Sequence, residues 1–222
     1  MRVVTLVPWR PGNHIRERNW DWTRPHLEAL GYEMFLGDSP GPWARAAACN
    51  EAARLAGDWD IALIADADTI PEKDAVQRAV VTVSLLPGAI RPHDRLWNLN
   101  KAQTQLAGTK GPQAVRLTPR ASKLLGGGLL VVSRQAWDRV GGYDERFIGW
   151  GHEDSALQTT LLAEARWDRI EGQAWHLWHP RDPIHTPERK ANQRMMHEVK
   201  EHYRDVIERE SEERGWDVGS VL

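Results

Sequence analysis

The chain has 222 residues, a formal net charge of −2 and 41% hydrophobic residues, which suits one soluble globular domain with its own core. No apolar run approaches the ~18 residues of a membrane span, and a charge near zero argues against a generic nucleic-acid coat. The single cysteine, Cys49, excludes a disulfide framework and a cysteine-based zinc site.

The first apolar stretch, Arg2 to Val7, is too short for a signal peptide and reads as a strand; the expected location is the cytoplasm. Asn19 to Gly31 reads as a helix with a glycine stop, Tyr32 to Leu36 as a second strand, and Trp43 to Ala56 as an Ala-rich helix. Ile61 to Ala65 is a fully apolar third strand, and Pro71 opens a helix to about Leu86 with Val76, Val80 and Val83 on one face. Strands alternating with helices predict a largely parallel sheet. Ligands of such sheets sit beyond the carboxyl ends of the strands. Here those ends carry Pro8-Trp9-Arg10, Asp38 and Asp66-Ala67-Asp68.

Gly88 to Lys123 has seven Arg or Lys (Arg91, Arg95, Lys101, Lys110, Arg116, Arg120, Lys123) against one acid, Asp94. It reads as a basic, irregular loop region, either a lid over a ligand, a recruiter of an acidic partner, or a solvated loop. Then come Gly126-Gly127-Gly128, a strand from Leu129 to Val132, and a short helix from Ser133 to Val140. A helix begins near Gly151-His152-Glu153-Asp154, and a strand-like stretch ends in Trp175-His176-Leu177-Trp178-His179. Pro187 to Arg214 reads as one long charged helix for packing or oligomerisation, with Met195, Val199, Tyr203 and Val206 as its seam. The resulting division is a domain over 1–186 and a helical extension over 187–222.

Three groups carry chemistry. Asp66-Ala67-Asp68 offers hard oxygen ligands at a strand end, suited to Mg²⁺ or Mn²⁺ with a diphosphate, or else caps the next helix. Gly149-Trp150-Gly151-His152-Glu153-Asp154 joins a flat indole to two acids in a helix's first turn, where the helix dipole favours carboxylates. One of those acids suits a general base, and the alternative is simple capping. His176 and His179 can complete a metal site begun by a carboxylate, or serve structure alone.

Taken together these residues resemble a GT-A glycosyltransferase, and more narrowly the β-1,4-galactosyltransferase group with its bacterial and phage relatives. Trp43-Ala44-Arg45-Ala46 through Asn50 is similar to that group's aromatic-x-Arg-Ala-x-x-x-Asn segment. Gly127-Gly128, Gly141-Gly142-Tyr143 and Gly149 to Asp154 resemble its donor and acceptor signature. The resemblance implies a single GT-A-type α/β domain: a mostly parallel central sheet flanked by helices, with a Rossmann-like nucleotide-binding half. It implies that Pro8, Arg10, Asp38, Arg45, Asp66 and Ala67 border the nucleotide, and that Gly127 and Gly128 admit the donor sugar. Asp68, His179 and His176 would bind Mn²⁺ or Mg²⁺. Trp150 and Gly151 would carry the acceptor, Glu153 would hold sugar hydroxyls, and Asp154 would be the catalytic base. Two departures stand out: Ser155-Ala156 replaces a further acid, and His176 stands where those enzymes have a methionine ligand.

The implied function is metal-dependent, inverting transfer of a sugar from a UDP-sugar to an acceptor hydroxyl. The acceptor stays open among glycan, protein, lipid-linked glycan and modified DNA base, as does the oligomeric state. The alternatives are a sugar-phosphate nucleotidyltransferase and a catalytically idle sugar-binding module. The 12 tryptophans divide accordingly. Trp9, Trp43, Trp150, Trp175 and Trp178 fall at site motifs, and Trp97 falls in the basic segment, where it would stack on an acceptor or close over the donor. Trp20, Trp22, Trp59, Trp137, Trp167 and Trp216 are assigned to packing.

Overall fold

In the computed structural model, which describes residues 1–117, 127–180 and 186–214, the apolar run Val3–Pro8 forms β1. Parallel to it on either side lie Glu33–Gly37 (β2) and Ile61–Ala65 (β3). Leu129–Ser133 (β7) joins β3 antiparallel, followed by Ala89–Arg91 (β5) and Trp167–Arg169 (β8) in the order β2-β1-β3-β7-β5-β8. The sheet is mostly parallel as expected, because β7 alone is reversed. Arg120, Lys123, Gly126 and Trp216 lie outside the described residues.

Side chains alternate between the two faces of these strands. Leu6, Ala62, Ile64 and Val132 enter one hydrophobic cluster, while Val7, Ile61, Leu63 and Val131 enter the other. The first face is covered by Arg45–Ala56 (α2), Arg134–Val140 (α5) and Glu153–Glu164 (α6). The second is covered by His14–Glu28 (α1) and Lys73–Leu85 (α3). The alanines of α2 allow close approach to β2: a Cβ on Gly37 would lie 2.1 Å from the Ala48 carbonyl oxygen. α1 starts ahead of the expected Asn19 because the Asn13 side chain accepts the N–H groups of Ile15 and Arg16.

A second, three-stranded sheet was not foreseen. Thr69–Pro71 (β4), Gln173–His176 (β9) and Arg95–Asn98 (β6) pair in the order β4-β9-β6. Beside it lies Lys101–Lys110 (α4), opened by an Asn100–Gln103 capping box. The basic segment is therefore ordered in its described part, not irregular. Its strands are too short to show periodicity, and α4 buries only Thr104 and Ala107. Arg91 is buried against Trp167, with its guanidinium carbon 5.9 Å from the ring centroid, so it serves neither as a lid nor as a recruiter. Trp97 donates to Gln173 Oε1 (2.9 Å) and packs on this sheet's core.

The long charged helix is two helices, Pro187–His202 (α7) and Arg204–Arg214 (α8). Met196 and Ile207 are its fully buried apolar residues, while Met195 and Val199 are partly buried. Among the described residues, no helix is long and apolar enough to cross a membrane.

Candidate active site

The carboxyl ends of β1 and β3 open into a cleft of about 620 Å³. Pro8, Trp9 and Arg10 line one side of it, and Asp66, Ala67 and Asp68 line another. Trp150, Glu153 and Asp154 come from the loop into α6, and His176 and His179 from the end of β9. Each was expected at a ligand site from the sequence.

The register of the small sheet assembles a cluster of metal-ligand type. Thr69 pairs with His176, and Leu177 donates its N–H to the Asp68 carbonyl (2.8 Å). Asp68 Oδ1 is then 3.6 Å from His176 Nε2, and Asp68 Oδ2 is 3.4 Å from His179 Nε2. All three ligand atoms lie within 4.8 Å of one another. His179 Nδ1 hydrogen-bonds the Pro180 carbonyl (2.7 Å). A carbonyl only accepts, so Nδ1 donates in that bond and Nε2 is the ring nitrogen that faces the carboxylate, the orientation found in metal-ligating histidines. One carboxylate and two imidazoles arranged in this way fit a divalent first-row cation such as Mn²⁺, whereas Mg²⁺ favours a set made of oxygens alone.

Arg45, at the start of α2, is the hub of the other wall. Its Nε donates to Asp66 Oδ1 (2.7 Å), and its Nη1 donates to Asp154 Oδ1 (2.5 Å) and the Tyr143 hydroxyl (3.0 Å). Burial opposes its charge, but Asp154 and Asp66 outweigh this and hold the guanidinium protonated. Tyr143 donates its hydroxyl to the same Asp154 Oδ1 (2.8 Å). Burial pushes the Asp154 carboxyl above its ordinary range, with Arg45 opposing and Asp66 adding to the rise. Glu153 is raised to about 7 by burial and by the Asp154 charge.

Not every expected residue faces the cleft. Asp38 sits behind Arg10, accepting from its Nε (2.7 Å), and Arg10 in turn stacks on Trp43. Gly127 and Gly128 line a smaller pocket behind Asp154, and the Gly128 carbonyl accepts the Asp66 N–H (2.8 Å). Gly151 donates its N–H to Glu153 Oε2 (3.0 Å) and lies beside the cleft. Of the tryptophans given to the site, Trp9, Trp43 and Trp150 line it. Trp175 is instead buried in the small-sheet core, and Trp178 lies beneath Lys101.

Sequence reasoning gave no role to Tyr143, Arg189 or Asn192. Arg189 lays its guanidinium 4.2 Å from the Trp150 ring centroid. Asn192, buried in α7, donates to the carbonyls of Ile148 (2.9 Å) and Gly151 (3.1 Å) and so secures the Trp150 loop. The aromatic after Gly141-Gly142 was a usable signal for Tyr143, while Asn192 has none in a helix of charged residues.

A family model described as the N-terminal domain of galactosyltransferase matches residues 113–178. No curated protein matches the sequence. Among solved structures, the catalytic domain of Drosophila beta-1,4-galactosyltransferase 7 with xylobiose superposes with a TM-score of 0.61 at 17% identity, over 86% of this chain and 79% of that one. The chain has a GT-A glycosyltransferase fold. A mutant of the same Drosophila enzyme with manganese, UDP-Gal and xylobiose gives a TM-score of 0.59 at 16% identity, over 86% and 79% of the two chains. A mannosyltransferase from Pyrobaculum calidifontis with GDP-Man and Mn²⁺ gives 0.51 at 18% identity, over 81% and 58%. The matched segment contains Tyr143, Trp150, Glu153, Asp154 and His176. The chain resembles the galactosyltransferases, and glycosyltransferase is the enzyme class that the family match and the fold support.

Proposed function

We propose that the chain transfers a sugar, with inversion, from a UDP-sugar to an acceptor hydroxyl with the help of a divalent metal. The observation that carries this reading is the placement of the Asp68–His176–His179 cluster and the Asp154–Glu153 pair in one cleft. Solved proteins of this fold hold manganese together with UDP-Gal or GDP-Man, which supports the same assignment.

Asp68, His176 and His179 would hold the metal, whose charge stabilises the diphosphate leaving group. Arg10, Trp43 and Asp66 border the nucleotide end, and the exposed indole of Trp150 receives the acceptor. Asp154 takes the proton from the attacking hydroxyl, and burial that raises its pKa strengthens it as a base. Glu153, largely buried beside it, holds hydroxyl groups of the sugar as donor or acceptor according to its protonation. One in-line displacement inverts the anomeric centre.

The test is nucleotide release from a panel of nucleotide sugars with Mn²⁺ or Mg²⁺. UDP-sugars should be turned over, and EDTA or Asp68→Ala should abolish the release. Full turnover in EDTA would remove the metal from the reading. Pyrophosphate release from a nucleoside triphosphate and a sugar phosphate would replace it with nucleotidyl transfer.

A further inference from the structure

We propose that Tyr143, set in place by Asn50, is a positioning residue that anchors Oδ1 of Asp154 and so fixes the orientation of that carboxyl. This rests on the reading of Asp154 as the base. The Asn50 amide clamps the Tyr143 backbone from both sides: Oδ1 accepts the Tyr143 N–H (3.0 Å) and Nδ2 donates to the Tyr143 carbonyl (2.9 Å). The ring is packed edge-on to Trp137 at 6.0 Å and lies beneath Arg45, 5.3 Å from the guanidinium carbon. The phenol has little freedom, and its oxygen falls between Arg45 and Asp154.

The direction of the hydrogen bonds follows from charge. Arg45 is a donor only, so the phenol oxygen accepts from Nη1 and gives its own hydrogen to Asp154 Oδ1. Burial pushes the phenol well above its ordinary pKa, so it remains a donor at every working pH. Oδ1 thus receives two hydrogen bonds, while among the described residues none reaches Oδ2. The groups facing this carboxyl are Arg45 and Cys49 on α2, Asp66 beyond β3, Tyr143, and Glu153 on α6. Arg45 and Tyr143 favour its ionised form against burial and the Asp66 charge.

The experiment compares wild type with Tyr143→Phe, which keeps the ring and its packing. Two readouts are needed. Carboxyl ¹³C NMR of aspartate-labelled protein, with the Asp154 signal assigned from Asp154→Asn, should show the midpoint rising by on the order of one pH unit, as loss of one hydrogen bond to a charged group implies. Nucleotide release should retain its high-pH plateau while its acid limb moves up equally, giving roughly tenfold less turnover one pH unit below the wild-type midpoint. Asn50→Ala should move both readouts the same way. An unmoved NMR midpoint overturns the anchoring. A moved midpoint with an unmoved acid limb overturns Asp154 as the proton acceptor and so fails the functional reading separately.

Discussion

Gly127 lies so close to Asp154 that a methyl group on its Cα would sit 1.9 Å from Oδ2. Asp154 cannot simply withdraw, because its other oxygen is held by Arg45 and Tyr143. Gly127→Ala should therefore push the carboxylate out of line. A displacement of about 1 Å at a reacting group costs on the order of a hundredfold in rate. Nucleotide release should fall by about that factor, with a stability loss of about 1–3 kcal/mol from overpacking. Retained turnover would mean that the backbone yields instead.

Metal binding is testable without turnover. His179→Ala removes one of three donors and should weaken Mn²⁺ binding at least about tenfold, since even outer partners of metal ligands commonly contribute that much. Electron paramagnetic resonance of free Mn²⁺ reads this directly. Equal affinity in wild type and variant would place the ion elsewhere.

Glu153 makes stability depend on pH. Its folded-state pKa, about 7, lies above the ordinary 4.5, so the folded state binds its proton more tightly than the unfolded state does. Its stabilising contribution is full below about pH 4.5 and is lost as pH rises through about 7. Glu153→Gln, which can still accept the Gly151 N–H, should remove that part of the decline. Urea unfolding of both proteins at pH 5 and pH 8 should show a smaller difference between the two pH values in the variant.

His152 is the one non-glycine residue with a positive φ, 76°, among the described residues. It caps α6 by backbone shape alone, without a side-chain hydrogen bond. Left-handed backbone costs an L-residue about 1–2 kcal/mol, and glycine avoids that cost. His152→Gly should raise stability by about 1 kcal/mol in thermal or urea unfolding while nucleotide release stays unchanged. Loss of turnover would instead give the imidazole a part in the chemistry.

The loop that presents Trp150 depends on α7. Asn192→Ala removes the donor to the part-buried Ile148 and Gly151 carbonyls, at about 0.5–1.5 kcal/mol for each hydrogen bond lost. Acceptor KM should rise more than donor KM. Equal changes in both would deny α7 a part in acceptor binding.

Local signals made much of this site legible in the sequence. Asp66-Ala67-Asp68 terminates an apolar run, and Glu153-Asp154 follows glycines at a helix start, so both could be placed before any fold was known. Arg45 needed the family resemblance, and the histidine pair, legible as metal-ligand types, needed it to choose between a metal and a structural role. Of the small sheet only β9 was legible as a strand, because β4 and β6, of three and four residues, carry no periodicity and are held by register with a distant partner. Arg91 looked like a free surface charge because a sequence does not show that Trp167 will lie against its guanidinium. Asn192 looked like one more polar residue on a charged helix, and only the packing of α7 against α6 turns it toward the Trp150 loop.

The three donor side chains hang from one pair of strand ends, β4 and β9, with Leu177 tied to Asp68 between the histidines. A cation held there would rivet that ladder shut. The amide of Leu177 would then exchange with solvent more slowly in the presence of the ion, and a disturbance of β6 on the far side of β9 would reach the ion through the ladder. Affinity for such a cation would then be a mechanical property of a small sheet as well as a chemical property of three side chains.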